Sequence, residues 1–313
     1  MGKASKAKRD GSSRQQRIAA QRAQARRTEV RNRILIASGS VVVVIAIVLA
    51  FVLVKVNSHG SSGSSASGNG PTGTALATVV KNTTTVPAST LNAVGAGSVT
   101  SPPAAVTNGT PLTSGGKPEM LYIGAEYCPF CAFERWGMVV ALSRFGTFKN
   151  LSTTHSSSTD VYPNTSTWTF YKSTYTSKYL VFSPVEETTN VPDSSSSAGY
   201  TPLQSPTAAQ EALLEKYDAP PYVSSADKGA IPFVYLGGHY VINGASSSPQ
   251  VLQGKSWATI ASSLKDPSNA VAKAVNGTAN YITSAICKMT NNQPSTVCTS
   301  AITGLQSNMK APS

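Results

Sequence analysis

Histidine and acidic residues are scarce: the 313-residue chain holds three histidines and 14 Asp plus Glu. His155 lies in a Ser-rich stretch and His239 beside a Gly-Gly pair, neither with a partner at metal-ligand spacing. Both read as surface histidines. No Ser-His-Asp order and no phosphate-cradling glycine loop is legible, and no internal repeat is evident. Aromatic residues are missing from the basic N-terminal arm, so the arm lacks the interleaved rings of a base-stacking surface. Nucleic acid is therefore not an expected partner, although the net charge is +12.

That charge is unevenly placed. The first 33 residues carry eleven Lys or Arg against Asp10 and Glu29, leaving +3 for the other 280 residues. Ile34 to Val54 then runs about 21 residues without a charge, enough at ~1.5 Å per residue to span ~30 Å of hydrocarbon. A flanking cationic arm predicts a cytoplasmic N-terminus and an extracytoplasmic remainder, with the arm drawn to anionic membrane lipid. The string Phe51-Val52-Leu53-Val54-Lys55-Val56 has no small-residue cleavage site, so the run reads as an uncleaved signal anchor.

The expected organisation is a basic cytoplasmic arm (1–33), a single N-terminal transmembrane helix (34–54), a Ser/Gly-rich tether (55–75) and one extracytoplasmic domain (76–313). Leu76 to Leu112 mixes apolar residues with Thr, Ser and Pro, and reads as short irregular elements laid over that domain.

Cysteine is scarce too, with four in the chain, but two of them are tightly spaced. Cys128-Pro129-Phe130-Cys131 follows the apolar strand pattern Met120 to Ala125 and precedes a helical stripe of Phe133, Trp136, Val140, Leu142 and Phe145. Pro129 suits the first helical position, which makes Cys128 the N-cap. The amides and positive end of the helix then face the Cys128 sulfur and favour its thiolate. Cys131, within the same turn, is placed to attack a mixed disulfide on Cys128. Three uses stay open for the pair: dithiol exchange, a structural disulfide, or half of a metal site with Cys287 and Cys298. The ten residues between Cys287 and Cys298 are unlike a short zinc knuckle. Those two read as a structural disulfide worth ~2–4 kcal/mol by loop-closure entropy, with a second redox relay as the alternative.

Around the dithiol, Glu126 reads as a solvated loop carboxylate or a local proton acceptor. Glu134 and Arg135 read as a helix-surface pair, with Arg135 able to raise the thiolate population. Strand patterns follow at Trp168 to Tyr171 and Tyr179 to Phe182, with a helix at Ala208 to Tyr217. Phe233 to Leu236, Gly237-Gly238 and His239 to Ile242 give a hairpin signal, and helices follow at Trp257 to Leu264 and Ala270 to Met289. This order predicts an α/β sandwich.

A CxxC at a helix head with Ile231-Pro232 opening a distant hairpin resembles the thioredoxin fold. The strings Gly124-Ala125-Glu126-Tyr127-Cys128-Pro129-Phe130-Cys131-Ala132, Arg135-Trp136, Ser143-Arg144-Phe145-Gly146 and Ile231-Pro232-Phe233 narrow the resemblance. They are similar to a family of membrane-anchored thioredoxin-like proteins of archaea and actinobacteria, a domain of unknown function. The resemblance implies a thioredoxin-like sandwich with a long insertion between the CxxC helix and the hairpin. It also implies Cys128 as the exposed nucleophile, Cys131 as the resolving thiol and Pro232 as a cis-proline beside them.

The function expected is a membrane-anchored thiol–disulfide oxidoreductase without cofactor or metal. Its partners would be protein thiol or disulfide clients and an integral-membrane redox protein. The compartment tilts the direction toward oxidase or isomerase over reductase. The alternatives are a non-catalytic cell-surface binding module on the same scaffold, and metal capture by the reduced pair.

Overall fold

The computed structural model describes residues 70–312. The basic arm, the apolar run 34–54 and the tether up to residue 69 lie outside them. Among the described residues, no helix is long and apolar enough to cross a membrane.

Two helices come first, α1 (Gly73–Thr84) and α2 (Ala88–Val94), followed by strands β1 (Ala104–Ala105), β2 (Thr113–Ser114) and β3 (Lys117–Gly124). Helix α3 (Pro129–Leu142) then leads into β4 (Gly146–Lys149), β5 (Ser152–His155), β6 (Ser166–Thr169), β7 (Thr174–Ser177) and β8 (Val181–Glu186). The hairpin β9 (Thr188–Pro192) and β10 (Tyr200–Pro202) precedes α4 (Ala208–Tyr217), β11 (Phe233–Leu236) and β12 (Tyr240–Asn243). The chain closes with α5 (Trp257–Ser263), α6 (Ala270–Met289) and α7 (Ser300–Thr303).

The chain is thus mixed α/β. Its main sheet runs β1–β12–β11–β3, with β8 parallel to β3 and β11 antiparallel to it. Met120-Leu121-Tyr122-Ile123 of β3 is wholly buried, because helices cover both faces. Alternation along the strand sorts the partners. Met120 and Tyr122 join the cluster of α3 and α6, while Leu121 and Ile123 join Leu213, Leu214 and Tyr217 of α4. Helix α6 packs on α3. A Cβ on Gly137 would lie 2.5 Å from Thr278, so glycine permits that close approach.

Three expectations are corrected. The segment before the main sheet is not irregular: α1 and α2 occupy it, and α1 begins at Gly73, inside the expected tether. Val79 and Thr83 of α1 share a buried face, and the hydroxyls of Thr78, Thr83 and Thr84 bond carbonyls four residues back. Tertiary burial here overrides the modest helix propensity of Thr and Val. The Ser-rich loop starts as a strand, with Ser152 to His155 paired against Thr169 to Ser166. The strand expected at Tyr179 begins at Val181 and runs through Pro184, which an edge strand tolerates. Cys287 and Cys298 are joined by a disulfide that ties the end of α6 to the segment before α7.

The ion pair Arg135–Glu186 locks α3 to β8. Arg135 Nε donates to Glu186 Oε1 at 2.8 Å and Nη2 to Oε2 at 2.6 Å, with both side chains fully buried. Removing one partner would strand the other charge without water, at a cost of ~3–5 kcal/mol. Glu186→Ala is therefore expected to lower the urea midpoint sharply, and Arg135→Met with Glu186→Leu to recover most of the loss. Equilibrium unfolding of the three proteins checks this.

Candidate functional site

Strand β3 delivers the chain through Ala125, Glu126 and Tyr127 to the head of α3. Cys128 is the N-cap residue and Pro129 holds the first turn, where a missing N–H leaves no bond unmade. The Cys131 N–H donates to Cys128 Sγ at 3.1 Å, and the Cys128 thiol donates to the Ile231 carbonyl at 3.6 Å. The Ile231–Pro232 bond is cis. Cys128, Cys131 and the Pro232 loop thus meet in space, and neither cysteine is joined in a disulfide.

The exposure expected of Cys128 is not observed. Cys128 is 4% exposed and Cys131 0%. The segment between α3 and β11 covers them. Tyr200 of β10 stacks on Tyr127 with centroids 4.3 Å apart, and its hydroxyl donates to Ser157 Oγ at 2.8 Å. The Ser157 N–H donates to the Tyr127 carbonyl at 2.8 Å, and Tyr162 meets the half-buried Phe130 edge-on at 6.1 Å. This segment is a cover, held on the loop that leads into the dithiol.

The neighbouring charges are also buried. In α3 every residue but Phe130 is buried, because the helix lies between the sheet, α6 and β6. Glu134 and Arg135 therefore form no surface pair. Each turns to its own partner: Arg135 to Glu186 and the Ala125 carbonyl, which accepts from Nη2 at 2.7 Å, and Glu134 to Ser246. The Ser246 N–H and hydroxyl each donate to the Glu134 carboxylate at 2.9 Å. Burial pushes that carboxyl up to about 7, against the pull of those two donors. Glu126 is not a solvated carboxylate either. Its 8% exposure reflects the cover, and its N–H donates to the Thr188 carbonyl at 3.0 Å. Burial raises its pKa, with Thr169, Arg135 and Thr154 opposing.

Cys131 is pushed well above the ordinary thiol range, first by burial and then by Cys128 beside it, while the Arg135 charge pulls it down. His155 is half-buried, its Nδ1 3.1 Å from Asn190 Nδ2, because β5 pairs inside the cover rather than lying in a loop. His239 is exposed at the hairpin turn, and partial burial with Lys288 lowers its pKa. Among the described residues, no group of three or more His, Cys, Asp or Glu is placed to hold a metal ion. Glu186, Ser157, Tyr200 and Ser246 carry no signal in the sequence. Each reaches the site from a distant element, and no local spacing marks it.

The model of one family, Domain of unknown function (DUF929), matches residues 103–288, a span that contains Cys128, Cys131 and Pro232. No curated protein and no solved structure matches the chain.

The buried Glu134 sets a pH dependence of stability. Its folded value of about 7 lies above the ordinary 4.5, so the folded state holds the proton more tightly. The associated stability is fully present below pH ~4.5 and is lost as pH rises through ~7, roughly 3 kcal/mol in all. Glu134→Gln keeps an acceptor for the Ser246 N–H without a charge. It is expected to match the wild type near pH 4.5 and to exceed it above pH 8, as measured by urea unfolding across pH.

Proposed function

The chain belongs to the family Domain of unknown function (DUF929), and on the geometry of its dithiol we propose that it is a membrane-anchored thiol–disulfide oxidoreductase of thioredoxin-like fold. The observation that carries this reading is the Cys128 sulfur at the head of α3. It accepts the Cys131 N–H and faces the carbonyl that precedes Pro232. A helix head with a free amide donor stabilises negative charge on sulfur, and thiolate is the exchanging species. A dithiol kept only as a staple has no need of such a setting.

In the reductive direction the Cys128 thiolate attacks a client disulfide. A Cys128–client disulfide forms and one client thiolate leaves. Cys131 then attacks the Cys128 sulfur, so that the Cys128–Cys131 disulfide closes and the second client thiol departs. Two electrons pass from the protein to the client, and the reverse sequence oxidises a client. Stabilising the Cys128 thiolate stabilises the reduced form, which favours the oxidising direction. Arg135 supplies a buried positive charge beside Cys131.

No organic cofactor or metal is required. The apolar run 34–54 would anchor the domain outside the bilayer, within reach of an integral-membrane redox partner that resets the dithiol. The cover means that a protein client must displace Tyr200 and Ser157 before reaching Cys128.

The burial of Cys128 favours one competing reading, a non-catalytic binding module on the same scaffold. Trapping separates the two. Cys131→Ser is expected to accumulate dithiothreitol-sensitive adducts with client proteins in cells, and Cys128→Ser/Cys131→Ser none, as seen on non-reducing gels. If Cys131→Ser forms no adduct and the wild-type protein exchanges no disulfide with glutathione, the binding module stands instead.

A further inference from the structure

Tyr122 presents an anomaly at the same site. It lies mid-way along β3, fully buried, and its hydroxyl has no hydrogen-bond partner. An orphaned buried hydroxyl is a cost to the fold. Phenylalanine would fill the position equally well, since the ring packs edge-on against Phe170 at 5.4 Å. What the hydroxyl faces gives it a use. A Cβ added to Gly124 would overlap the Tyr122 hydroxyl oxygen and lie 3.1 Å from Cys131 Sγ. The bare Cα of Gly124 therefore makes room for the Tyr122 hydroxyl on the side where the Cys131 sulfur lies.

Of the other polar groups here, Arg135 Nη1 also lacks a hydrogen-bond partner. Cys131 and Arg135 come from α3, Cys128 from its head and Glu186 from β8, and these are the charged or titratable groups that act on Tyr122. The guanidinium carbon of Arg135 lies 5.7 Å from the ring centroid, but two of its nitrogens are committed to Glu186 and the Ala125 carbonyl. On the β11 side, the cross-strand neighbour of Tyr122 is the apolar Val234. The acceptor that this hydroxyl lacks at rest is the charge that appears on Cys131 during exchange.

Resting on the exchange reading above, we propose that the Tyr122 hydroxyl donates a hydrogen bond to the Cys131 sulfur as it becomes a thiolate, and so sets the rate of the resolving step. In that step the Cys131 S–H bond and the bond from Cys128 to the client sulfur break. The Cys128–Cys131 bond forms, and the proton ends on the departing client thiol. No electrons are exchanged with any other group. Negative charge crosses a pocket closed to water, where a donor to a charged group is worth most.

The test uses full-length Tyr122→Phe, mixed with oxidised glutathione, acid-quenched over time and read by mass spectrometry. Formation of the Cys128–glutathione disulfide is expected at the wild-type rate. Its resolution by Cys131 is expected to slow ~10- to 100-fold, the range for one hydrogen bond to a charged group. The difference should narrow at alkaline pH, where Cys131 ionises unaided. In a Cys128→Ser background, adding Tyr122→Phe should move the ultraviolet absorbance of the Cys131 thiolate to higher pH. A purely structural Tyr122 predicts unchanged or greater stability on substitution, with both profiles unmoved, and that result would overturn the proposal. Failure of the wild type to form any glutathione adduct would overturn the exchange reading itself, a distinguishable outcome.

Discussion

The desolvated pair Arg135–Glu186 is the constraint on which the dithiol's setting depends. It joins the helix that carries Cys131 to the end of β8, and Arg135 Nη2 reaches on to the Ala125 carbonyl three residues before Cys128. Glu186 Oε1 also accepts the Phe170 N–H at 3.2 Å, which ties in the chain after β6. A buried ion pair adds little net stability over a well-packed apolar pair, but it punishes any rearrangement that separates its charges. One side-chain fork therefore fixes the approach to the dithiol, the helix behind it and the strand alongside.

Around that anchor the site is layered. The head of α3 offers an amide to Cys128, and Arg135 places a positive charge behind Cys131. Tyr127 and Tyr200 close the front. The amide and Arg135 favour charge on sulfur, while burial opposes it at Cys131. Glu134 fastens the same helix to Ser246, and Ser246 in turn accepts the Thr100 and Ser101 N–H groups through its carbonyl. The helix is thus held at its face as well as at its head.

Much of this was legible in the sequence where the signal was local. Pro129 after Cys128 marked the N-cap, Gly237-Gly238 marked the β11–β12 turn, and α4 and α6 fall on the expected ranges Ala208–Tyr217 and Ala270–Met289. The burial of Glu134 and Arg135 was not legible, because charged neighbours on a helix ordinarily mark its wet side. Their partners lie 112 and 51 residues away, and only the folded sheet brings them in. The cover was hidden for the same reason: Ser157 and Tyr200 are unremarkable in a Ser- and Tyr-rich stretch until the chain folds back over Tyr127. Helix α1 was hidden by its Thr and Val content, which reads as irregular without the core beneath it.

The claim that Cys128–Cys131 is a working redox pair, distinct from the structural bridge Cys287–Cys298, is tested most directly by graded glutathione redox buffers. Differential alkylation and mass spectrometry would follow each pair separately. The account predicts that Cys128–Cys131 interconverts across the buffer range, with Cys128 the first to alkylate when reduced, while Cys287–Cys298 stays closed. A Cys128–Cys131 pair that holds one state throughout, or opens only after Cys287–Cys298, would contradict it.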